Sequence, residues 1–163
     1  MILAMVLSAA LFTGCNDITN DTSTDTTAVS SENSEKSDKS DSGFKKFAAY
    51  MEEGGFIKGS GLELTASVIG AEYGERYTIS SGGSKIYVEL YEYEDTNSDL
   101  ALKVLSEAKN SGTFSLYNDL STENTAAAVT PDGKYLMLYT DSSANANNVQ
   151  IKNDAVDAVK NYK

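Results

Sequence analysis

A long polar segment, residues 16–42, limits how much of this chain can fold. It contains twelve Ser or Thr, seven acidic residues and two lysines, and its only large apolar residues are Ile18 and Val29. A segment of this composition cannot bury enough apolar surface to offset the entropy lost on ordering. We therefore expect residues 15–42 to be a disordered tether, which leaves residues 43–163 as the folded domain.

The predicted domain is acidic. Its 121 residues are enough for one modest core, and they carry 17 acidic and 11 basic side chains, a net charge of −6. Phosphate contacts need clustered Lys and Arg, and no basic stripe is present, so we expect no nucleic-acid partner. The same charge disfavours docking of the domain itself on an anionic membrane.

The chain starts with an uncharged apolar run, "MILAMVLSAALFTG", directly before its single cysteine, Cys15. The run is shorter than the ~20 residues that span a bilayer as a helix, but it has the length of a signal-peptide core. The stretch "LFTGC" resembles the lipobox of bacterial lipoproteins. This resemblance implies that residues 1–14 are a lipoprotein signal peptide, and that Cys15 receives diacylglycerol and becomes the first mature residue.

Lipidation at Cys15 predicts a location, the extracytoplasmic face of the cell membrane. Two or more acyl chains hold a protein firmly in a bilayer, and a flexible tether of this length has a root-mean-square span of about 30 Å. Phe12 is larger than the usual lipobox residue at its position. No Lys or Arg precedes the apolar run, which predicts a true start upstream of Met1.

Apolar residues at helical spacing predict three helices. The first has Ser42 as its N-cap and ends at Gly54 and Gly55, the second ends at Gly112, and the third closes the chain. Their apolar stripes comprise Phe44, Phe47, Ala48 and Met51; Ala101, Val104, Leu105 and Ala108; and Ile151, Ala155, Ala158, Val159 and Tyr162.

Two β-hairpins are predicted between these helices. "ERYTISSGGSKIYVELYEYED" turns at Gly82 and Gly83, and "AAAVTPDGKYLMLYT" turns at residues 131–133. "TFSLY" is typical of a strand, and residues 62–74 fit either a strand or a helical turn. The order of elements predicts an α+β fold, an antiparallel sheet with helices packed on one face as a two-layer sandwich.

Tyrosines on this sheet are the candidate ligand-binding residues. Ile86, Val88 and Leu90 define a dry face, and side chains alternate along a strand, so neighbouring tyrosines point the other way. "SKIYVELY" and "GKYLMLY" look alike, which leaves a duplication open and places two further tyrosines on this face by analogy. A tyrosine presents a rigid ring and a polar tip to a sugar or a protein, although high strand propensity alone also explains its presence. The candidates are Tyr87, Tyr91, Tyr93, Tyr135 and Tyr139.

The absence of histidine excludes most familiar catalytic chemistry. A Ser-His-acid triad and a His-dependent zinc site both need it, and the single thiol is assigned to lipid. We expect no catalytic residue, no metal and no cofactor. The alternative is a small cell-envelope enzyme that depends on carboxylates, Ser and Lys.

Three weak motifs bear on that alternative or on a metal site. "DTNSD" starts like a calcium loop at Asp95, but the sixth and twelfth positions hold Leu100 and Ser106 in place of Gly and Glu, so a turn before a helix is favoured. Ser-x-x-Lys occurs at residues 42–45 and 106–109 without the Lys-Thr-Gly that accompanies it in acyl-enzymes. Glu89 is predicted to face away from Glu92 and Glu94, so these carboxylates cannot share one cleft.

Several phrases of the domain, "VIGAEYG" and "YEYED" foremost, resemble small cell-surface lipoproteins of Gram-positive bacteria that have no assigned activity. This resemblance implies a small α+β domain at the cell surface and supplies no catalytic residues. Together with the lipobox, it predicts a membrane-anchored, non-catalytic binding or accessory module. The expected partners are membrane lipid through Cys15 and a cell-envelope protein or glycan.

Overall fold

The computed structural model describes residues 42–114, 125–143 and 145–163. The elements are α1 (Ser42–Glu53), β1 (Leu62–Glu63), β2 (Tyr73–Ser81), β3 (Ser84–Glu92), α2 (Asp99–Ser111), β4 (Thr125–Val129), β5 (Tyr135–Asp141) and α3 (Ala146–Asn161). The strands form one antiparallel sheet in the order β1-β2-β3-β5-β4. The predicted α+β fold with an antiparallel sheet is confirmed.

Both predicted hairpins are present, and their turn residues explain why. Gly82 and Gly83 have φ of 57° and 84°, the left-handed pair that a two-residue turn requires between twisted strands. The second turn closes through a 2.9 Å hydrogen bond from the Gly133 N–H to the Thr130 carbonyl. Each hairpin therefore pairs β-rich segments that are close along the chain.

The end of α1 and both ends of α2 are explained by the sequence, whereas Ser42, the predicted N-cap of α1, is its first helical residue. After α1, the Phe56 N–H donates to the Met51 carbonyl and the Gly55 N–H to the Glu52 carbonyl, both at 2.9 Å, with φ of 76° at Gly55. This is the Schellman arrangement that satisfies the last carbonyls of a helix. At the start of α2, the Ser98 hydroxyl accepts the Ala101 N–H, and Gly112 caps the other end in the left-handed conformation.

The sheet carries helices on both faces, which corrects the predicted two-layer arrangement. The α1/α3 face is covered by α1 and α3, whereas the α2 face is covered by α2 and a 3₁₀ turn, Ala66–Ile69. The strand side chains at the α1/α3 face include Ile86, Val88, Leu90, Tyr135, Met137 and Tyr139. Those at the α2 face include Tyr91, Leu136 and Leu138. The central strands are thus buried on both sides.

The segment left open in the sequence, residues 62–74, contains both alternatives. β1 supplies two strand residues, and the 3₁₀ turn supplies one helical turn that ends at Gly70. The predicted strand "TFSLY" is not seen at Thr113 and Phe114, and the rest of it lies outside the described residues. The signal peptide, Cys15 and nearly all of the predicted tether also lie outside them.

Candidate functional site

The five candidate tyrosines do not share a face. Tyr87, Tyr91 and Tyr93 lie on the α2 side of the sheet, but Tyr135 and Tyr139 lie on the α1/α3 face. The β3–β5 register explains the difference, because Tyr139 is opposite Val88 and not opposite Tyr87. The predicted common tyrosine surface is therefore wrong. Their role in ligand binding stays a prediction.

Burial leaves little of these tyrosines for a ligand. Tyr87 is half-buried, and the other four are buried. The Tyr93 hydroxyl donates to the Ile69 carbonyl at 3.2 Å, and the Tyr139 hydroxyl donates to the Asn148 carbonyl at 3.4 Å. Burial and then Asp141 raise the pKa of Tyr139 to about 12. These two phenol hydroxyls thus connect the 3₁₀ turn and α3 to the sheet by hydrogen bonds.

A Tyr-Glu-Tyr arrangement occupies β3 on the α2 side. Glu89 accepts a hydrogen bond from the Tyr91 hydroxyl at 2.9 Å and another from Arg76 Nε at 2.8 Å. The Arg76 guanidinium lies 5.7 Å from the centre of the Tyr87 ring, a cation–π distance. Strand alternation turns Glu92 to the opposite face, where it is buried, and Glu94 is exposed. Glu89 therefore lies on the opposite face of the sheet from Glu92.

The same arrangement recurs on β2, facing the α1/α3 side, and sequence reasoning missed it. Tyr73, Glu75 and Tyr77 alternate along the strand and therefore share one face. The Tyr73 hydroxyl donates to Glu75 Oε1 at 2.6 Å, and the Tyr77 hydroxyl donates to Glu75 Oε2 at 2.5 Å. Burial first, and then the hydrogen bond to Glu75, raise the pKa of Tyr77. The repeated Tyr-x-Glu-x-Tyr spacing is the signal that would have found it.

This β2 carboxylate lies in a cleft between α1 and β2, which we call the α1/β2 cleft. Its volume is about 330 Å³. One wall is α1, and the other is β2 together with the loop before β1. The lining residues are Phe44, Lys45, Ala48, Ala49, Glu52, Ile57, Gly59, Tyr73, Glu75 and Tyr77.

Negative charge dominates the described part of the cleft. Glu52, at its rim, accepts the Gly59 N–H at 3.2 Å. Glu63 lies directly opposite Glu75 in the β1–β2 register and so projects from the same side of the sheet. Within residues 42–114, 125–143 and 145–163, neither Glu52 nor Glu75 forms an ion pair within 4 Å. Lys45 is the basic residue in the lining, and it is exposed.

Gly61 lets the chain before β1 pass close over Glu75. A Cβ atom at this position would lie 2.5 Å from Glu75 Oε2 and 2.9 Å from Tyr77 Cζ. Such separations are too short for any side chain at position 61 without a shift of Glu75 or Tyr77. The backbone at Gly61 thus passes close to both the Glu75 carboxylate and the Tyr77 ring.

A second cleft, of about 270 Å³, lies between the end of α2, the edge strand β4 and α3. Its walls are mostly Ala, Gly, Val and Pro, with Lys109 and Lys160 as its charged residues. Both lysines are exposed. It lacks the immobilised charged group that distinguishes the α1/β2 cleft.

The weaker motifs have structural explanations. Asp95 Oδ1 accepts the Asn97 N–H at 2.9 Å, and the next residue, Ser98, caps α2, so "DTNSD" is a turn and a cap. No group of three or more Asp, Glu, His or Cys suited to a metal ion occurs among the described residues. Ser106 and Lys109 are both exposed on α2. Ser42 starts α1, and its side chain lies outside what the structure describes.

None of the described helices has the length and apolar character needed to cross a bilayer. No protein-family model, curated protein or solved structure matches this chain.

Proposed function

We propose that this chain is a lipid-anchored, extracytoplasmic binding module that acts without catalysis. The anchor is Cys15, and the polar tether lets the domain reach ligands in the layer outside the membrane. The partner is a cell-envelope protein or glycan. The support for the anchor is the "LFTGC" sequence together with the polar segment behind it.

The observation that carries the binding role is the α1/β2 cleft. It is open, and both oxygens of its central carboxylate already accept hydrogen bonds from Tyr73 and Tyr77. These two phenol donors hold the carboxylate in one position at the base of the cleft, which suits recognition of a ligand. In the described part of the chain no lysine is buried, so a desolvated lysine nucleophile is not present there.

Metabolic labelling with a fatty-acid analogue in the native host tests the anchor. We expect label on the wild-type protein in the membrane fraction and complete loss of that label in Cys15→Ala, because the thiol is the only acceptor for the diacylglycerol group. Ser31→Ala, a change within the tether, is the matched control and should keep the label. Label retained in Cys15→Ala would refute the anchor.

A further inference from the structure

We propose that the α1/β2 cleft binds a primary alkylammonium group, as carried by the lysine side chain of an envelope peptide, with Glu75 as its main acceptor. This proposal rests on the binding role proposed above and deepens it. It assigns the ligand chemistry of the cleft and favours a peptide over a neutral glycan.

The direction of the hydrogen bonds sets what the ligand must offer. A tyrosine hydroxyl has one proton to donate, and Tyr73 and Tyr77 both donate theirs to Glu75. The phenol oxygen of Tyr77 is therefore left with acceptor capacity only, and so are the carboxylates of Glu75 and Glu52. A ligand that fits these groups must be a donor, and an ammonium group supplies three N–H bonds.

The charge around Glu75 favours a cation. Glu75 is half-buried and forms no ion pair within the residues that the structure describes. Charged groups removed from water are normally paired, and the carboxylates of Glu52 and Glu63 add to the negative potential. The exposed Lys45 at the rim and Lys58 in the loop oppose it only partly. An incoming ammonium would supply the missing counter-charge.

The shape of the cleft fits an alkyl stem. Phe44, Ala48 and Ile57 provide apolar walls beside the carboxylate, and a lysine buries its methylene groups along apolar surface with its charge at a polar tip. A volume of about 330 Å³ is at the lower end of ligand pockets and is large enough to admit a single side chain. An amino sugar carries hydroxyl groups around its ammonium group, and these polar groups match the apolar walls less well.

The first test compares four small ligands on the full-length protein by NMR titration. Nα-acetyl-lysine amide should bind and shift the amide signals of Gly59, Gly61 and Tyr73. Its Nε-trimethyl form keeps the charge but has no N–H on the nitrogen, so we expect at least about tenfold weaker binding. Nα-acetyl-norleucine amide should not bind measurably. Equal binding of the trimethyl or norleucine compound would overturn the proposal, and tighter binding of glucosamine would overturn its assignment to a peptide.

The second test uses variants whose effects have opposite signs. Glu75→Gln removes the acceptor charge and should weaken lysine-amide binding at least about tenfold. Lys45→Gln removes a like charge from the rim and should strengthen binding about two- to fivefold. Glu107→Gln, on α2 behind the other face of the sheet, makes the same change in net charge as Glu75→Gln and should bind as the wild type does.

These outcomes separate the ligand proposal from the proposed function. Thermal melts of each variant establish that it is folded before its affinity is compared. Lysine-amide binding that Glu75→Gln leaves unchanged, or that Lys45→Gln weakens, would contradict the ligand proposal while the labelling of Cys15 still stands. The Cys15→Ala change leaves every described residue of the cleft unchanged. This variant should therefore bind lysine amide as the wild type does.

Discussion

Above pH 10 the domain is expected to unfold cooperatively, because five buried tyrosines resist ionisation in the folded state. Burial is the largest cause of the raised pKa of each of them. Tyr139 has the lowest value of the five, about 12. The five are Tyr77, Tyr91, Tyr93, Tyr135 and Tyr139.

The sign of the pH dependence follows from proton binding. An unfolded tyrosine has a pKa of about 10, below its folded value, so between the two the folded state holds more protons. The contribution of these tyrosines to the free energy of unfolding is therefore constant below about pH 10 and falls above it, by about 1.4 kcal/mol per pH unit for each tyrosine that stays protonated. For several such tyrosines together, this loss of free energy exceeds a typical domain stability of about 5–15 kcal/mol within a few pH units.

Tyrosinate absorbance and far-UV circular dichroism, followed together against pH, check this prediction. The absorbance of the buried tyrosines should rise in step with the loss of secondary structure. Tyr139→Phe keeps the ring and removes one titrating hydroxyl, so the free energy of unfolding should fall less steeply with pH. Smooth ionisation of all tyrosines near pH 10 without loss of circular dichroism would contradict it.

Phe47→Ala is expected to lower the free energy of unfolding by about 3–5 kcal/mol. Phe47 is a fully buried residue of α1. Its ring stacks on Tyr135 at a centroid distance of 4.6 Å and meets Tyr162 edge-on at 5.0 Å. Removing it leaves a cavity where α1, β5 and the end of α3 meet. Since α1 is one wall of the α1/β2 cleft, the loss also loosens the proposed ligand site.

Urea unfolding at neutral pH measures this effect. Leu102→Ala is the control, because Leu102 is 47% exposed on α2 and its truncation should change stability by less than about 0.5 kcal/mol. A similar small change for Phe47→Ala would show that α1 does not depend on this aromatic cluster for its attachment.

The local structure of this chain was predictable because local chemistry determines it. Gly55 and Gly112 end helices whose apolar stripes have a clear helical period, and Gly82 with Gly83 permits the tight turn of the first hairpin. Each of these signals acts within a few residues along the chain. A single sequence was therefore enough to place the three helices and both hairpins.

The layering of the sheet was not predictable, because β5 carries no usable pattern. All five residues from Tyr135 to Tyr139 are buried, so the polar–apolar alternation that identifies one wet face is missing. The pairing of β3 with β5 joins segments about fifty residues apart, and a shift of one residue in that register moves every side chain to the other face. The analogy between the two hairpins therefore assigned Tyr135 and Tyr139 to the wrong side.

The α1/β2 cleft could not be predicted from the sequence either, although the sequence contains part of its pattern. Tyr73, Glu75 and Tyr77 have the spacing of one strand face, and the same spacing recurs at Tyr87, Glu89 and Tyr91. What the sequence lacks is the position of α1 over β2, which depends on packing around Phe47. Only with α1 in place does Glu75 become the floor of a cleft.

Membrane attachment through Cys15 is the central claim about this protein, and the mass of its mature N-terminus tests it most directly. The protein is extracted from the membrane fraction of its native host, digested, and its N-terminal peptide is identified by mass spectrometry. We predict a peptide that begins at Cys15 and carries the added mass of a diacylglycerol group on the thiol. A peptide that continues through Gly14 into an unmodified Cys15 would contradict the account.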